Sequence, residues 1–382
     1  MADPANSPGG MNAGPFVVYP SIAVTEAFND NVTLSQNNRI RSALTLISPA
    51  LLAEVKGAST TFSLGYVGTY ARYSNSSADN YNAHAFRANA LFDFTARARL
   101  NLLAAHIIGV DPRGSTFAST AVATPNKYHS TQLGGTFSYG AAGAQGRIEL
   151  ETLVNKTRYD NNRAVTATLD YDSYRYGGTF FWRIGPKTEL LAQAVQIDTD
   201  YTSPASQQDG RSRTYLLGVK WEATAATTGI FKLGSSQKKY DSGLVPKQSS
   251  GVWEGSVLWS PLSYSKVTLS TGKYIADASG GNTGFGGLGA TSVKTSYYNA
   301  NWSHQWTERI STNVRAGLTD EDYVGGPTSR SDKTGSAGVG VFYAARRWLT
   351  LAADYSYLER NSNQAGLDYK RNLLMFSLRA SI

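Results

Sequence analysis

The sequence of 382 residues has no cysteine and no long apolar run. Without cysteine there is no disulfide framework, no thiolate metal site and no cysteine nucleophile. No stretch reaches the roughly 18 consecutive apolar residues that a membrane-spanning helix needs. The mean hydropathy is −0.31. These absences still allow a membrane protein, because in a β-barrel only alternate residues face lipid.

Residues 297–319 show the pattern from which the whole chain is built. Apolar or aromatic side chains alternate with polar ones, both before and after a short connection at 307–309. The apolar positions are Tyr298, Ala300, Trp302, His304, Trp306, Ile310, Thr312, Val314, Ala316 and Leu318. A period of two residues is typical of a strand, and so short a connection predicts an antiparallel hairpin.

The same alternation continues to the last residue, so the predicted fold class is all-β. We count about eighteen strands, joined in alternation by eight tight turns and nine longer polar loops. A sheet of this size must close on itself or leave an exposed edge. An even strand number, with short periplasmic turns and longer extracellular loops, is the plan of an outer-membrane barrel. The sequence therefore predicts a closed antiparallel transmembrane β-barrel over residues 16–382, preceded by a periplasmic tail at 1–15.

Large aromatic residues recur on the apolar face just before the tight turns. They are Trp182, Trp221, Trp259, Trp306 and Tyr343. Such a girdle marks one membrane interface. We therefore expect the bacterial outer membrane, with both termini in the periplasm. The alternative is a soluble β-propeller or β-solenoid, but the propeller repeat of four strands in about 40 to 45 residues is not visible.

Candidate motifs for chemistry are weak in this sequence. The glycine-rich segment at 284–289 matches a dinucleotide fingerprint, but it lies between two strands and no helix follows it. The formal charge of +8 is dispersed along the strands, which argues against nucleic acid. No Ser/His/Asp grouping shares the strand ends on the loop side. We therefore expect no enzyme activity, no cofactor and no metal.

Charged residues recur at the positions that face the lumen of the predicted barrel. Those we expect to lie along a solute path are Arg87, Arg175, Arg183, Arg315, Glu149, Glu151 and Asp354. Water fills a barrel of this size, so charges of both signs are tolerated inside it. One interpretation is that any such lumen is polar. The other is that the basic excess favours an anionic solute.

Five tyrosines end outgoing strands at positions of lumen-facing parity. They are Tyr73, Tyr159, Tyr240, Tyr274 and Tyr323. Aromatic rings at a pore mouth are suited to stacking on the weakly apolar faces of sugar rings. The alternative is an upper aromatic girdle that bulges displace by one residue.

Four short segments carry a resemblance to a known family. They are TEAFNDNV at 25–32, shortly after Pro20, LISPAL at 46–51, LGY at 64–66 running on to Arg72 and Tyr73, and YKRN at 369–372. In these segments the chain resembles the EpsL-like or β-barrel porin 2 family, outer-membrane barrels encoded with exopolysaccharide and capsule export systems. The family has no agreed catalytic motif to transfer.

The resemblance implies a function and a set of partners. We expect an outer-membrane channel that exports an exopolysaccharide made by an inner-membrane assembly system. Its partners would be an acidic polysaccharide polymer, outer-membrane lipid and lipopolysaccharide, and a periplasmic export component, with no nucleic acid. One alternative is a general or solute-specific diffusion porin, which needs a constricting loop folded inward. A second alternative is a structural sheath around a periplasmic partner.

Overall fold

The computed structural model describes residues 9–115, 122–141, 143–204, 206–224, 226–278, 290–326 and 329–382. Within these ranges the chain folds almost entirely into strands. They are β1 (Met11–Ala13), β2 (Phe16–Asn29), β3 (Ser42–Lys56), β4 (Thr60–Tyr73), β5 (Tyr81–Asp93), β6 (Ala98–Asp111), β7 (Asn126–Tyr139), β8 (Gly146–Tyr159), β9 (Tyr171–Gly185), β10 (Thr188–Tyr201), β11 (Gly210–Thr224), β12 (Thr227–Tyr240), β13 (Gln248–Leu262), β14 (Ser265–Asp277), β15 (Ser292–Gln305), β16 (Ile310–Val324), β17 (Arg330–Arg346), β18 (Leu349–Ser362) and β19 (Tyr369–Ser381).

Strands β2 to β19 form a closed ring. Each pairs antiparallel with the next, and β19 pairs with β2 from Leu373↔Asn29 to Ser381↔Ser21. The amide of Ile382 also donates to the Pro20 carbonyl at 3.1 Å. The predicted eighteen-stranded closed antiparallel barrel is confirmed, with β1 as an extra strand. Among the described residues no helix is long and apolar enough to cross a membrane.

The short strand β1 belongs to the predicted N-terminal tail. It pairs antiparallel with the start of β2, from Met11↔Val18 to Ala13↔Phe16. Residues 1–8 of that tail lie outside the described ranges. The described part of the tail therefore folds back on the barrel as a small hairpin.

The connections differ between the two ends of the barrel. Eight short connections, such as 186–187 between β9 and β10, lie at one end, which we call the turn end. Nine longer connections, such as 30–41 between β2 and β3, lie at the opposite loop end. The loop after β8 contains the helix α1 (Arg163–Thr166). Because β2 starts and β19 finishes at the turn end, both ends of the barrel chain lie there.

The two faces of the wall have opposite chemistry because successive side chains of a strand point to opposite sides. The outward face carries the large apolar residues, and there Trp182, Trp259 and Trp306 are 46%, 49% and 57% exposed. The inward face carries charged residues such as Arg87, Arg175 and Arg315, together with small polar residues. Opposite partners share a face, so the row Arg315↔Gly338↔Ser356 is an inward row. An apolar outer band around a polar interior is typical of an outer-membrane barrel.

Candidate functional site

Lumen-facing charges on strands β8 to β11 form a connected set of ion pairs. Arg175 Nη2 lies 2.8 Å from Glu151 Oε1, and Arg147 pairs with Glu149. Arg183 Nη2 lies 3.3 Å from Glu189 Oε1. Arg147 also approaches Glu189 at 3.7 Å. Arg147, Glu149, Arg183 and Glu189 line a cavity of about 470 Å³. Its lining also includes Arg97, Arg99, Lys187, Lys220 and Glu222, so cations outnumber carboxylates there as well.

A further pair joins β16 to β18 across the strand between them. Arg315 donates to Asp354, and the inward positions of the intervening β17 are glycines. A Cβ at Gly338 would lie 2.8 Å from Arg315 Nε, and one at Gly340 would lie 2.8 Å from Asp354 Oδ2. Because Gly338 and Gly340 have no side chain, the Arg315 and Asp354 side chains can both lie flat against the wall.

The seven charged residues expected along a solute path all lie on the inward face, but their electrostatic states differ from the expectation. Arg175, Arg183 and Arg315 are ion-paired, with Glu151, Glu189 and Asp354 respectively. Register brings these carboxylates within reach, so three of the four arginines expected to attract anions are neutralised. Arg87 alone of the four forms no ion pair within the described residues.

A larger cavity of about 1310 Å³ lies at the turn end, on the arc of wall around the seam between β19 and β2. Arg87, Lys266 and Arg379, which lie within strands and not at their ends, are exposed and form no ion pair with any described residue. Turns add further cations to the lining. The full cationic set is Arg87, Lys266, Arg309, Arg346, Arg347 and Arg379.

The same cavity is poor in carboxylates. Of its described lining residues, Glu308 is the single acid. Neutral polar groups fill the wall beside the cations: Asn313 Nδ2 donates to Asn301 Oδ1 at 2.6 Å and to Ser303 Oγ at 3.0 Å. The sequence predicted Arg87 as a residue of the solute path, but not Lys266, Arg379 or the arginines at the turns. Lys266 and Arg379 share the lumen-facing parity of Arg87, and this parity is the signal that points to them.

At the loop end, chain segments that are not neighbours in the ring contact each other. The buried Gln208, in the loop after β10, donates through Nε2 to the carbonyls of Ala278 and Thr291, each at 2.8 Å. Tyr240 of β12 donates to the same Thr291 carbonyl at 3.1 Å. Strands β11 to β13 lie between these elements, so the loop after β10 crosses over their ends. This narrows the loop end of the barrel.

An ion pair strengthens this narrowing. The pairing of β13 with β14 stops at Trp253↔Lys273. Beyond that point the buried Lys238 of β12 pairs directly with Asp277 of β14. The ends of β12 and β14 therefore meet across β13.

Metal-binding clusters were expected to be absent from this chain. The described residues contain no group of three or more His, Asp or Glu side chains that could hold a metal ion. The glycine-rich segment at 284–289 lies outside the described ranges.

Comparison with known proteins assigns the barrel to a family. The family described as "Putative beta-barrel porin 2" matches residues 3–382. The chain belongs to this family. No curated protein matches the sequence. The family and the fold are those of an outer-membrane channel; the EpsL-like export subgroup is not shown.

Solved structures share the fold of this porin at low sequence identity. Pseudomonas aeruginosa OpdK with vanillate has a TM-score of 0.53 and 10% identity, covering 96% of this chain and 99% of that one. A second structure of Pseudomonas aeruginosa OpdK has a TM-score of 0.52 and 11% identity, and the match covers 96% of this chain and 99% of that one. Pseudomonas aeruginosa OpdQ has a TM-score of 0.51 and 10% identity, with coverages of 97% and 100%.

The expected export of an exopolysaccharide is wrong. The finding against it is the fold, which is shared with the OccK and OpdK barrels of Pseudomonas aeruginosa.

The five tyrosines proposed as a sliding surface for sugars lie on the inward face, but their surroundings differ. Tyr240 and Tyr323 are only 3% and 7% exposed. Tyr159 donates to Asp111 at 2.8 Å, and Tyr73 packs against the buried residues Ala27, Leu44 and Ala71.

Tyr274 differs from the other four tyrosines because it is 47% exposed, with its ring centre 6.4 Å from that of Tyr297. The loop-end contacts that bury Tyr240, through Thr291 and Ser292, join segments about fifty residues apart in sequence. Strand parity could not reveal such contacts. The five tyrosine rings therefore do not form a continuous exposed surface.

Proposed function

We propose that this porin is a solute-specific diffusion channel that favours small organic anions. The observation that carries the proposal is the cavity of about 1310 Å³, where Arg87, Lys266 and Arg379 have no ion pair with a described residue and Glu308 is the one acidic side chain in the described lining. Conduction needs contacts that are favourable enough for entry yet weak enough for release. Cations on an open, water-filled wall meet both needs, because water screens each of them strongly.

The ion-paired arginines of the wall have a different role in this proposal. Arg175, Arg183 and Arg315 each lie against a carboxylate, so they hold the wall together and offer little net charge to a passing solute. Exposed ion pairs of this kind contribute at most about 1 kcal/mol each to stability. The selectivity of the channel is therefore assigned to Arg87, Lys266 and Arg379.

Aromatic carboxylates are the solutes we expect to fit best. The related fold of OpdK has been solved with vanillate, which is such an acid. In this porin Phe342 lines the same cavity as Arg87 and Arg379. Phe342 on β17 lies two strands from Arg379 on β19. The carboxylate of the solute would bind the Arg379 guanidinium while its ring packs on Phe342; charge-assisted hydrogen bonds and offset aromatic packing make both contacts favourable.

The orientation in the membrane follows the general plan of outer-membrane barrels. Short turns lie in the periplasm and long loops outside. We therefore assign the turn end, with both ends of the barrel chain and the large cavity, to the periplasmic side. The narrowed loop end, where Gln208 and Tyr240 meet Thr291, would then be the outer entrance.

The first prediction tests the charge selectivity. The triple variant R87Q/K266Q/R379Q should lose most of its preference for anions, because a unit charge about 4 Å away contributes about 1 kcal/mol in water, or about fivefold in local ion concentration. The measurement is the reversal potential of single channels in planar bilayers under a KCl gradient, repeated with benzoate and vanillate salts.

The matched control is the double variant R175Q/E151Q, which removes an ion pair and leaves the net charge unchanged. It should keep the wild-type reversal potential. An anion preference that survives the triple variant, or a wild-type channel that prefers cations, would contradict the proposed function.

A further inference from the structure

The outward face of the barrel contains a groove that the channel function does not use. Its floor is made by small residues, Gly178 of β9 with Ala192 and Ala194 of β10. Exposed Phe180 lies on one side of it and exposed Leu217 on the other. The groove has a volume of about 560 Å³, within the range of about 300 to 1,000 Å³ that small-molecule sites occupy. It faces the membrane hydrocarbon, so it accepts an apolar chain.

Cations lie directly above this groove, toward the loop end. The outward row Ala194↔Tyr215 is followed by Gln196↔Arg213, and Arg213 lies two residues, or about 7 Å, further along its strand. The next row includes Lys239, which lies opposite Arg211.

The charges of these rows leave two cations without an acidic partner. Arg211 Nε pairs with Asp198 at 2.5 Å, and Arg213 Nε donates to Gln196 at 3.1 Å. Lys239 is exposed and has no ion pair within the described residues. Two further carboxylates, Asp200 and Asp241, lie beyond these rows at the ends of β10 and β12. Arg213 and Lys239 are therefore free to bind an anion that sits above the groove.

We propose that the groove and these two cations form one binding site for the phosphorylated glycolipid of the outer leaflet, lipid A. An acyl chain would lie along Gly178, Ala192 and Ala194, and a glucosamine phosphate would bind between Arg213 and Lys239. The site is apolar in the groove and cationic toward the loop end. This is the order in which the acyl chains and the phosphates of an outer-leaflet lipid lie. The inference rests on the orientation under the proposed function, which places the loop end outside.

A second copy of the chain fits this surface less well. Two identical copies would meet through the same patch, as twofold interfaces require. That arrangement would bring Arg213 and Lys239 close to their own equivalents and leave the concave floor without a complementary ridge. Charge complementarity therefore favours the lipid.

The test is the binding of lipid A to delipidated full-length protein in detergent, measured by native mass spectrometry. The variant R213Q/K239Q should bind bisphosphorylated lipid A about 30-fold more weakly, because each Lys or Arg near an anionic lipid surface contributes about fivefold. The variant A194F fills the groove and should also lose bound lipid. The matched control K273Q/K294Q removes two outward cations from β14 and β15 and should bind as the wild type does.

Three results would overturn the inference. Equal binding of lipid A and its dephosphorylated form would remove the role of the cations. An equal loss of lipid A binding in R213Q/K239Q and in the control K273Q/K294Q would show that any outward cation attracts the lipid unspecifically. A change of oligomeric state in A194F with unchanged lipid binding would assign the groove to a second copy. Failure of the channel proposal would not change the lipid A binding results, because binding is measured without conduction. Heat-dependent gel mobility confirms that each variant is folded.

Discussion

A charged side chain in this lumen takes its role from whether an opposite charge lies within reach on the same face. Arg315 and Arg87 have the same parity and the same chemistry, yet Arg315 lies against Asp354 and Arg87 has no acidic partner. Parity in the sequence predicted which face each occupies. It could not predict the pairing, because Asp354 lies 39 residues further on and two strands away. Only the register, and the absence of side chains at Gly338 and Gly340, brings the two together.

A residue-scale prediction follows from this pair. The variant D354N should raise the anion preference of the channel, because it leaves Arg315 unpaired in the lumen. The variant R315Q should lower that preference, since a bare carboxylate then remains. Single-channel reversal potentials measure both.

The double variant R315Q/D354N is the control, and it should return to the wild-type value. Shifts of the same sign in the two single variants would show that Arg315 and Asp354 do not act as a pair. Stability should change by no more than about 1 kcal/mol, as for other exposed ion pairs.

Strands and loops differ in how far the sequence predicts them. The alternation of side chains located the eighteen barrel strands because it repeats over many residues in each. Strand β1 has only three residues, too few to show a period, and was assigned to the tail. The loop contacts depend on segments that are distant in sequence, such as Gln208 with Thr291, and no local pattern encodes them.

The loop after β10 gives a prediction at this scale. The variant Q208A removes two hydrogen bonds and leaves the carbonyls of Ala278 and Thr291 without this donor, at a cost of about 1 to 3 kcal/mol for a buried group. The loop should then open, giving a larger and noisier single-channel conductance. The outward variant Q237A is the control. Unchanged conductance in Q208A would mean that this loop does not narrow the path.

Closure is the property that belongs to the whole molecule. The ring is completed by β19 on β2, the pairing most distant in sequence, with Ser381 opposite Ser21. The resemblance to known barrels and the alternation both predicted closure. Neither predicted that the unpaired cations would gather beside the seam, because that depends on how all eighteen strands are arranged.

Deletion of residues 369–382 tests this closure. The truncated chain should fail to form a barrel and should aggregate, because β2 and β18 would then expose unpaired strand edges. Gel mobility with and without heating, together with channel formation in bilayers, would detect the loss. Deletion of residues 2–9, which precede β1, should leave both unchanged. A truncated chain that still conducts with wild-type behaviour would refute the closed ring as the functional unit.

The position of the free cations beside the seam has a consequence for how a solute travels. Arg87, Lys266 and Arg379 lie on one arc of the wall without an acidic partner among the described residues. On the opposite arc the strand cations Arg147, Arg183 and Lys220 lie within ion-pair distance of Glu149, Glu189 and Glu222. The unpaired strand charge of the first arc therefore adds a component across the bore to its electric field. A molecule with a carboxylate at one end experiences a torque and is aligned with its acid against the seam. Two isomers of equal size and equal net charge would then cross at different rates, according to where on the molecule the charge sits.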